Sequence, residues 1–147
     1  SGTLLFKISI YILINEMILN EVHILPTDNS PEVILKPNGT VKIKGRGMVV
    51  NKTRIPEQIN DWLDAYLLNP AETTYVIVAF EYLNSYSTTI LASVLKKISQ
   101  VILQNKKFII HWYYEDDDDD LLDRGGYISE SLKLPIDFIV VDDISGC

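Results

Sequence analysis

The run Thr74–Phe80 limits most strongly what this chain can fold into. It is nearly unbroken in apolar residues and rich in β-branched and aromatic side chains, the pattern of a central strand covered on both faces. After Glu81–Ser87 come Ile90, Leu91, Val94, Leu95, Ile98, Val101 and Ile102, an apolar stripe at helical spacing that predicts a helix beginning near Ser87. Lys107–Tyr114 then reads as a second strand, apolar on both faces apart from His111. A strand, a helix and a strand in succession require a crossover and so imply a parallel pair.

The rest of the chain extends this pattern. Glu32–Leu35 and Val41–Lys44 are short β-prone runs joined across Lys36–Thr40, whose Asn38-Gly39 pair tolerates the positive φ of a tight turn, so an early hairpin is expected. Ile55, Ile59, Trp62, Leu63, Tyr66 and Leu67 mark an amphipathic helix with Pro56 and Glu57 in its first turn, ended at Asn69-Pro70. An acidic run followed by Leu121-Leu122 leads into a weaker helix ending before Pro135, and Ile136–Val141 forms the last strand. The expected class is therefore α/β, a mixed sheet with an early hairpin followed by alternating strands and helices. With 147 residues, 47% of them hydrophobic, the chain has the size and apolar content of one domain.

Charge and cysteine content narrow the functional classes. A net charge of -7 opposes binding to nucleic acid or to anionic lipid. Cys147 is the single cysteine, which excludes an intrachain disulfide and fits a reducing, cytoplasmic compartment. Leu4–Leu19 is apolar but short, and it carries Lys7, Asn15 and Glu16, whereas a spanning helix needs about 20 apolar residues. No membrane role is expected. Ser1-Gly2 reads as a cloning remnant and Met17 as a sensible natural start. Residues 1–21 are accordingly assigned as an apolar N-terminal extension, which as a strand or helix would pack on the domain or self-associate into a homo-oligomer. Residues 22–143 are assigned as the domain and 144–147 as a short tail.

Candidate chemistry lies between the central strand and the following helix, where α/β sheets present function. Ser85, Tyr86, Ser87, Thr88 and Thr89 place hydroxyls there after Asn84. Helix capping accounts for one such oxygen. A phosphoryl group at the same turn would meet free N–H groups and the positive end of the helix dipole. Glu115–Asp120 is a run of carboxylates, but the sixth and twelfth positions counted from Asp116 are Leu121 and Tyr127 instead of the glycine and glutamate of a calcium loop. The run is read as a solvated helix start, with no metal site and no cofactor. His111 is read as a satisfied core or sheet-face residue, and neither it nor His23 completes a catalytic set. Gly45-Arg46-Gly47 lacks the lysine and spacing of a phosphate loop, and Gly125-Gly126 reads as a turn or helix interruption. The sequons at Asn38 and Asn51 are chance-level patterns. The chain is expected not to be an enzyme.

Ser30-Pro31-Glu32-Val33, Ile43-Lys44-Gly45-Arg46, Trp62–Leu67, Glu81-Tyr82-Leu83-Asn84-Ser85, Trp112-Tyr113-Tyr114-Glu115 and Pro135-Ile136 occur in an order and spacing that resembles the SiaC family of regulatory phosphoproteins. The likeness spans roughly Val22 to Asp143. It implies a fold similar to the STAS domains of anti-sigma factor antagonists. It also implies a bacterial partner-switching cycle: a Ser/Thr kinase of the histidine-kinase-like ATPase fold modifies one hydroxyl, a PP2C-type phosphatase restores it, and the unmodified protein binds and activates a diguanylate cyclase. The family acceptor follows the asparagine of a Leu-Asn-Thr-Ser-Ser-like motif, which here is Ser85, surrounded by Tyr82, Leu83, Asn84, Tyr86 and Ser87 as the expected partner-binding surface. Two departures stand out. Tyr86 sits where the family has a small residue, which bears on kinase and partner choice, and Gly47-Met48-Val49-Val50-Asn51 keeps only the asparagine of the family's loop. The alternative to the switch is a constitutive STAS-like scaffold in which Ser85 and Ser87 only cap a helix. A third reading is a ligand-binding or metal-dependent enzyme that uses the acidic run.

Overall fold

The computed structural model describes residues 2–17, 19–48 and 54–147. Val49, Val50 and Asn51, and with them the second sequon, lie outside the described residues. Six strands form one sheet in sequential order: β1 (Val22–Ile24), β2 (Glu32–Leu35), β3 (Thr40–Arg46), β4 (Thr73–Tyr82), β5 (Lys107–Glu115) and β6 (Ile136–Val141). The first three strands pair antiparallel and β3 to β6 run parallel. Helices α2 (Ile55–Tyr66), α3 (Ser85–Ile98) and α4 (Asp119–Leu132) cross between the parallel strands, and α1 (Gly2–Met17) precedes the sheet.

The hairpin forms where Asn38-Gly39 predicts it. Gly39 takes φ +103°, its N–H donates to Lys36 O at 3.0 Å, and Asn38 Oδ1 accepts from Thr40 N at 3.0 Å. Helix α2 buries Ile55, Ile59, Trp62, Leu63 and Tyr66, the residues whose spacing predicts it. Because the strand order advances steadily from β3 to β6, right-handed crossovers place α2, α3 and α4 on the same face. Val41, Ile43, Val76, Val78, Ile110 and Trp112 point into that face and join the helices in one apolar core.

The expectation that β4 and β5 are covered on both faces therefore needs correction. Tyr75, Ile77, His111 and Tyr113 alternate with the core residues and remain partly exposed on the opposite face. Hydropathy cannot separate a doubly covered strand from one whose second face carries aromatics and histidine. The short tail, residues 144–147, is docked on this side. Ile144–Gly146 forms a 3₁₀ turn with Ile144 buried, Lys42 Nζ donates to Cys147 O at 2.6 Å, and Lys44 Nζ donates to Ser145 O.

Gly125 and Gly126 lie inside α4 and do not interrupt it. A Cβ at Gly125 would stand 2.5 Å from Phe138 Cε1 and 2.8 Å from Trp112 Cε2, so this glycine lets the helix approach the sheet. Tertiary closeness outweighs the low helix propensity of glycine here. Helix α1 approaches α2, while Leu4, Leu5, Phe6, Tyr11 and Leu13 are each more than half exposed. The chain after it is anchored: Leu19 packs on the core and Trp62 Nε1 donates to Asn20 O at 2.8 Å. No helix among the described residues is long and apolar enough to cross a membrane.

Candidate functional site

The β4–α3 junction builds a site from one strand end and one helix start. Helix α3 begins at Ser85, two residues before the position read from the apolar stripe, because Asn84 is the N-cap. Asn84 takes the extended backbone a cap requires, and its Oδ1 accepts from Ser87 N at 2.7 Å. Capping thus uses the asparagine and leaves the serine hydroxyls for other work.

Those hydroxyls divide clearly. Ser87 is buried, and its Oγ accepts from Met48 N at 3.1 Å, tying the loop after β3 to the start of α3. Thr88 is buried and donates to Asn84 O at 2.8 Å. Thr89 donates back to Ser85 O at 3.1 Å, a local bond within the helix. Ser85, by contrast, is exposed at the first helical position. It is flanked by Tyr82 and Tyr86, which are 55% and 64% exposed, enough apolar surface beside a hydroxyl to act as a recognition rim. Of the residues expected to surround Ser85, Leu83 and Ser87 are buried, and Tyr82, Asn84 and Tyr86 are exposed.

Helix α4 adds residues that sequence reasoning missed. A cavity of about 540 Å³ between α3 and α4 is lined by Ser85, Thr88, Thr89, Asp123, Arg124 and Tyr127, with Ala92, Ile128 and Leu132 on its apolar side. Arg124 Nη1 donates to Thr88 Oγ1 at 3.1 Å and its Nε to Asp120 Oδ2 at 2.9 Å. The i,i+4 spacing of Asp120 and Arg124 was legible in the sequence, but it reports only an exposed helix pair. Nothing in the linear pattern signals that α4 crosses beside the first turn of α3.

The acidic run is distributed over a strand end, a turn and a helix start. Glu115 ends β5 and accepts from Ile144 N at 2.9 Å. Asp118 caps α4 by accepting from Leu121 N at 3.1 Å. Asp119 and Asp120 fall in the first turn, where negative charge suits the helix dipole. Among the described residues no three His, Cys, Asp or Glu side chains are grouped so as to hold a metal ion. On the far sheet face, His111 Nδ1 lies 2.6 Å from Tyr75 Oη and His111 Nε2 lies 3.8 Å from Asp137 Oδ2. His23 pairs with Glu32 at 3.2 Å. Both histidines are thus engaged away from Ser85.

A six-stranded mixed sheet with three crossover helices on one face makes this an α/β domain, consistent with the STAS-like fold, with an exposed hydroxyl at the start of one crossover helix. The chain matches the SiaC family regulatory phosphoproteins over residues 24–141, and it belongs to that family. Solved structures agree in fold. Apo-SiaC from Pseudomonas aeruginosa superposes with a TM-score of 0.71 at 17% identity, covering 81% of this chain and 98% of that one. SiaC in the crystal structure of diguanylate cyclase SiaD in complex with its activator, also from P. aeruginosa, superposes at 0.71 with 16% identity, covering 82% and 99%. No curated protein sequence matches the chain significantly.

Proposed function

We propose that this protein is a phosphorylation-controlled regulatory binding protein of a bacterial cytoplasmic signalling module, with Ser85 as its phospho-acceptor. The unmodified form binds and activates a diguanylate cyclase. A Ser/Thr kinase of the histidine-kinase-like ATPase fold switches it off at Ser85, and a PP2C-type phosphatase restores it. The protein contributes binding and no catalysis.

The observation that carries this reading is the division of labour at the start of α3. Asn84 caps, Ser87 and Thr88 are buried and bonded, and Ser85 alone of these serines and threonines combines exposure with the first helical position, beside the exposed Tyr82 and Tyr86. Membership of a family of regulatory phosphoproteins supports a phosphorylated hydroxyl. The likeness to SiaC, which activates the cyclase SiaD, supports a cyclase as the partner. Phosphate at Ser85 adds about -1.5 to -2 charges. In a closed contact beside Tyr82 and Tyr86 that charge must be stripped of water, which costs several kcal/mol and suffices to abolish a micromolar complex.

Phosphosite mapping by mass spectrometry tests the acceptor. The protein is incubated with ATP and the kinase encoded beside it, as wild type and as S85A. Modification at Ser85 that disappears in S85A is expected. Absence of modification in the wild type would leave the constitutive scaffold as the better account.

A further inference from the structure

Arg124 occupies an unusual position for a solvent-facing helix residue. Its side chain is only 24% exposed, although its ion-pair partner Asp120 is 61% exposed. The guanidinium crosses from α4 to the first turn of α3, where it bonds Thr88 Oγ1, and it lines the same 540 Å³ cavity as Ser85. Two of the five N–H donors of an arginine are used by Thr88 and Asp120, so the planar fork keeps donors for an anion. Ser85 and Thr88 are three residues apart on one helix and share a face. The apolar floor of Ala92, Ile128 and Leu132 lowers the local dielectric and strengthens any ion pair formed above it.

We propose that Arg124 is the internal receptor for a phosphoryl group on Ser85, a regulatory step that rests on Ser85 being the acceptor. On phosphorylation the dianion takes the guanidinium from Asp120, because paired N–H bonds to phosphate are stronger than a single bond to an exposed carboxylate. The mouth of the α3–α4 cavity closes, and Asp120 is released to solvent. The modified state is then a different surface on both helices, and not merely the same surface with charge added. Asp123, on the cavity wall, opposes anions and leaves Arg124 as the group that makes the capture favourable.

The test installs phosphoserine at position 85 by amber-codon suppression, so it does not depend on any kinase. Phosphorus NMR follows the second ionisation of the phosphate in wild type and R124Q. The wild-type value should lie below that of R124Q by about half a pH unit or more, with R124K between the two. Identical values in folded wild type and R124Q would overturn the inference. A second readout needs no substitution: the Arg124 Nε–H resonance of the phosphorylated wild type should titrate with the phosphate, and a resonance indifferent to that titration would also overturn it. Failure of a kinase to modify Ser85 would instead remove the proposed function while leaving these two results unchanged.

Discussion

Replacing Gly125 by alanine tests the placement of α4, the helix that carries Arg124 to the site. The added methyl carbon would stand 2.5 Å from Phe138 Cε1 and 2.8 and 3.0 Å from Trp112 Cε2 and Cδ2. Carbon atoms normally approach to about 3.5–4.0 Å. The Phe138 ring is partly exposed and can turn, but Trp112 is 1% exposed and held in the core, so the overlap with its indole is relieved by lifting α4. Overpacking of this kind costs about 3 kcal/mol at the upper end of its range, and the gain from replacing a helical glycine returns about 1 kcal/mol. The net loss is about 2 kcal/mol, or roughly 6 °C in Tm for a chain of this length. Gly126 supplies the internal control, since a Cβ there meets nothing within 4 Å. G126A should gain about 1 kcal/mol from helix propensity alone. Differential scanning calorimetry of the two variants reads both signs. G125A melting at or above the wild type would refute the close approach of α4 to β5 and β6.

Three further outcomes follow from named contacts. S87A removes the acceptor for the Met48 N–H and leaves a buried donor unsatisfied, so urea unfolding should show a loss of about 1–2 kcal/mol. N84A removes the α3 cap and should cost about 1 kcal/mol, with faster amide exchange at Ser87. The Asp143 carboxyl is held below its ordinary value by hydrogen bonds from the Ser145 hydroxyl and N–H. A depressed folded value means that its stabilising contribution is present above the unfolded pKa and is lost as pH falls through the folded one. Carbon NMR of the carboxyl should therefore show a low titration midpoint that rises in S145A without fully recovering, because the backbone N–H still donates. An unchanged midpoint in S145A would contradict the contact.

Much of the fold was legible because burial imposes periodicity. The stripe Ile55–Tyr66 and the runs at Thr74 and Lys107 report faces that must meet a core, and they became α2, β4 and β5. Asn38-Gly39 was legible as turn chemistry. What escaped depends on contacts between elements distant in sequence. Gly125 looks like a breaker until Trp112 and Phe138 are set against it. Val22–Ile24 is too short to signal strand β1, which exists through pairing with β2. At the site, the Ser85 turn was readable because cap residues and hydroxyls cluster in sequence. The roles of those hydroxyls were not, since Ser87 is fixed by Met48 and Thr88 by Arg124.

The central claim, that Ser85 controls partner binding, is tested most directly by calorimetry against a diguanylate cyclase. The unmodified protein and the protein carrying phosphoserine at position 85 are titrated side by side. The account predicts binding by the unmodified protein and an affinity at least about 100-fold weaker after phosphorylation. Equal affinities, or no binding by the unmodified protein, would contradict it.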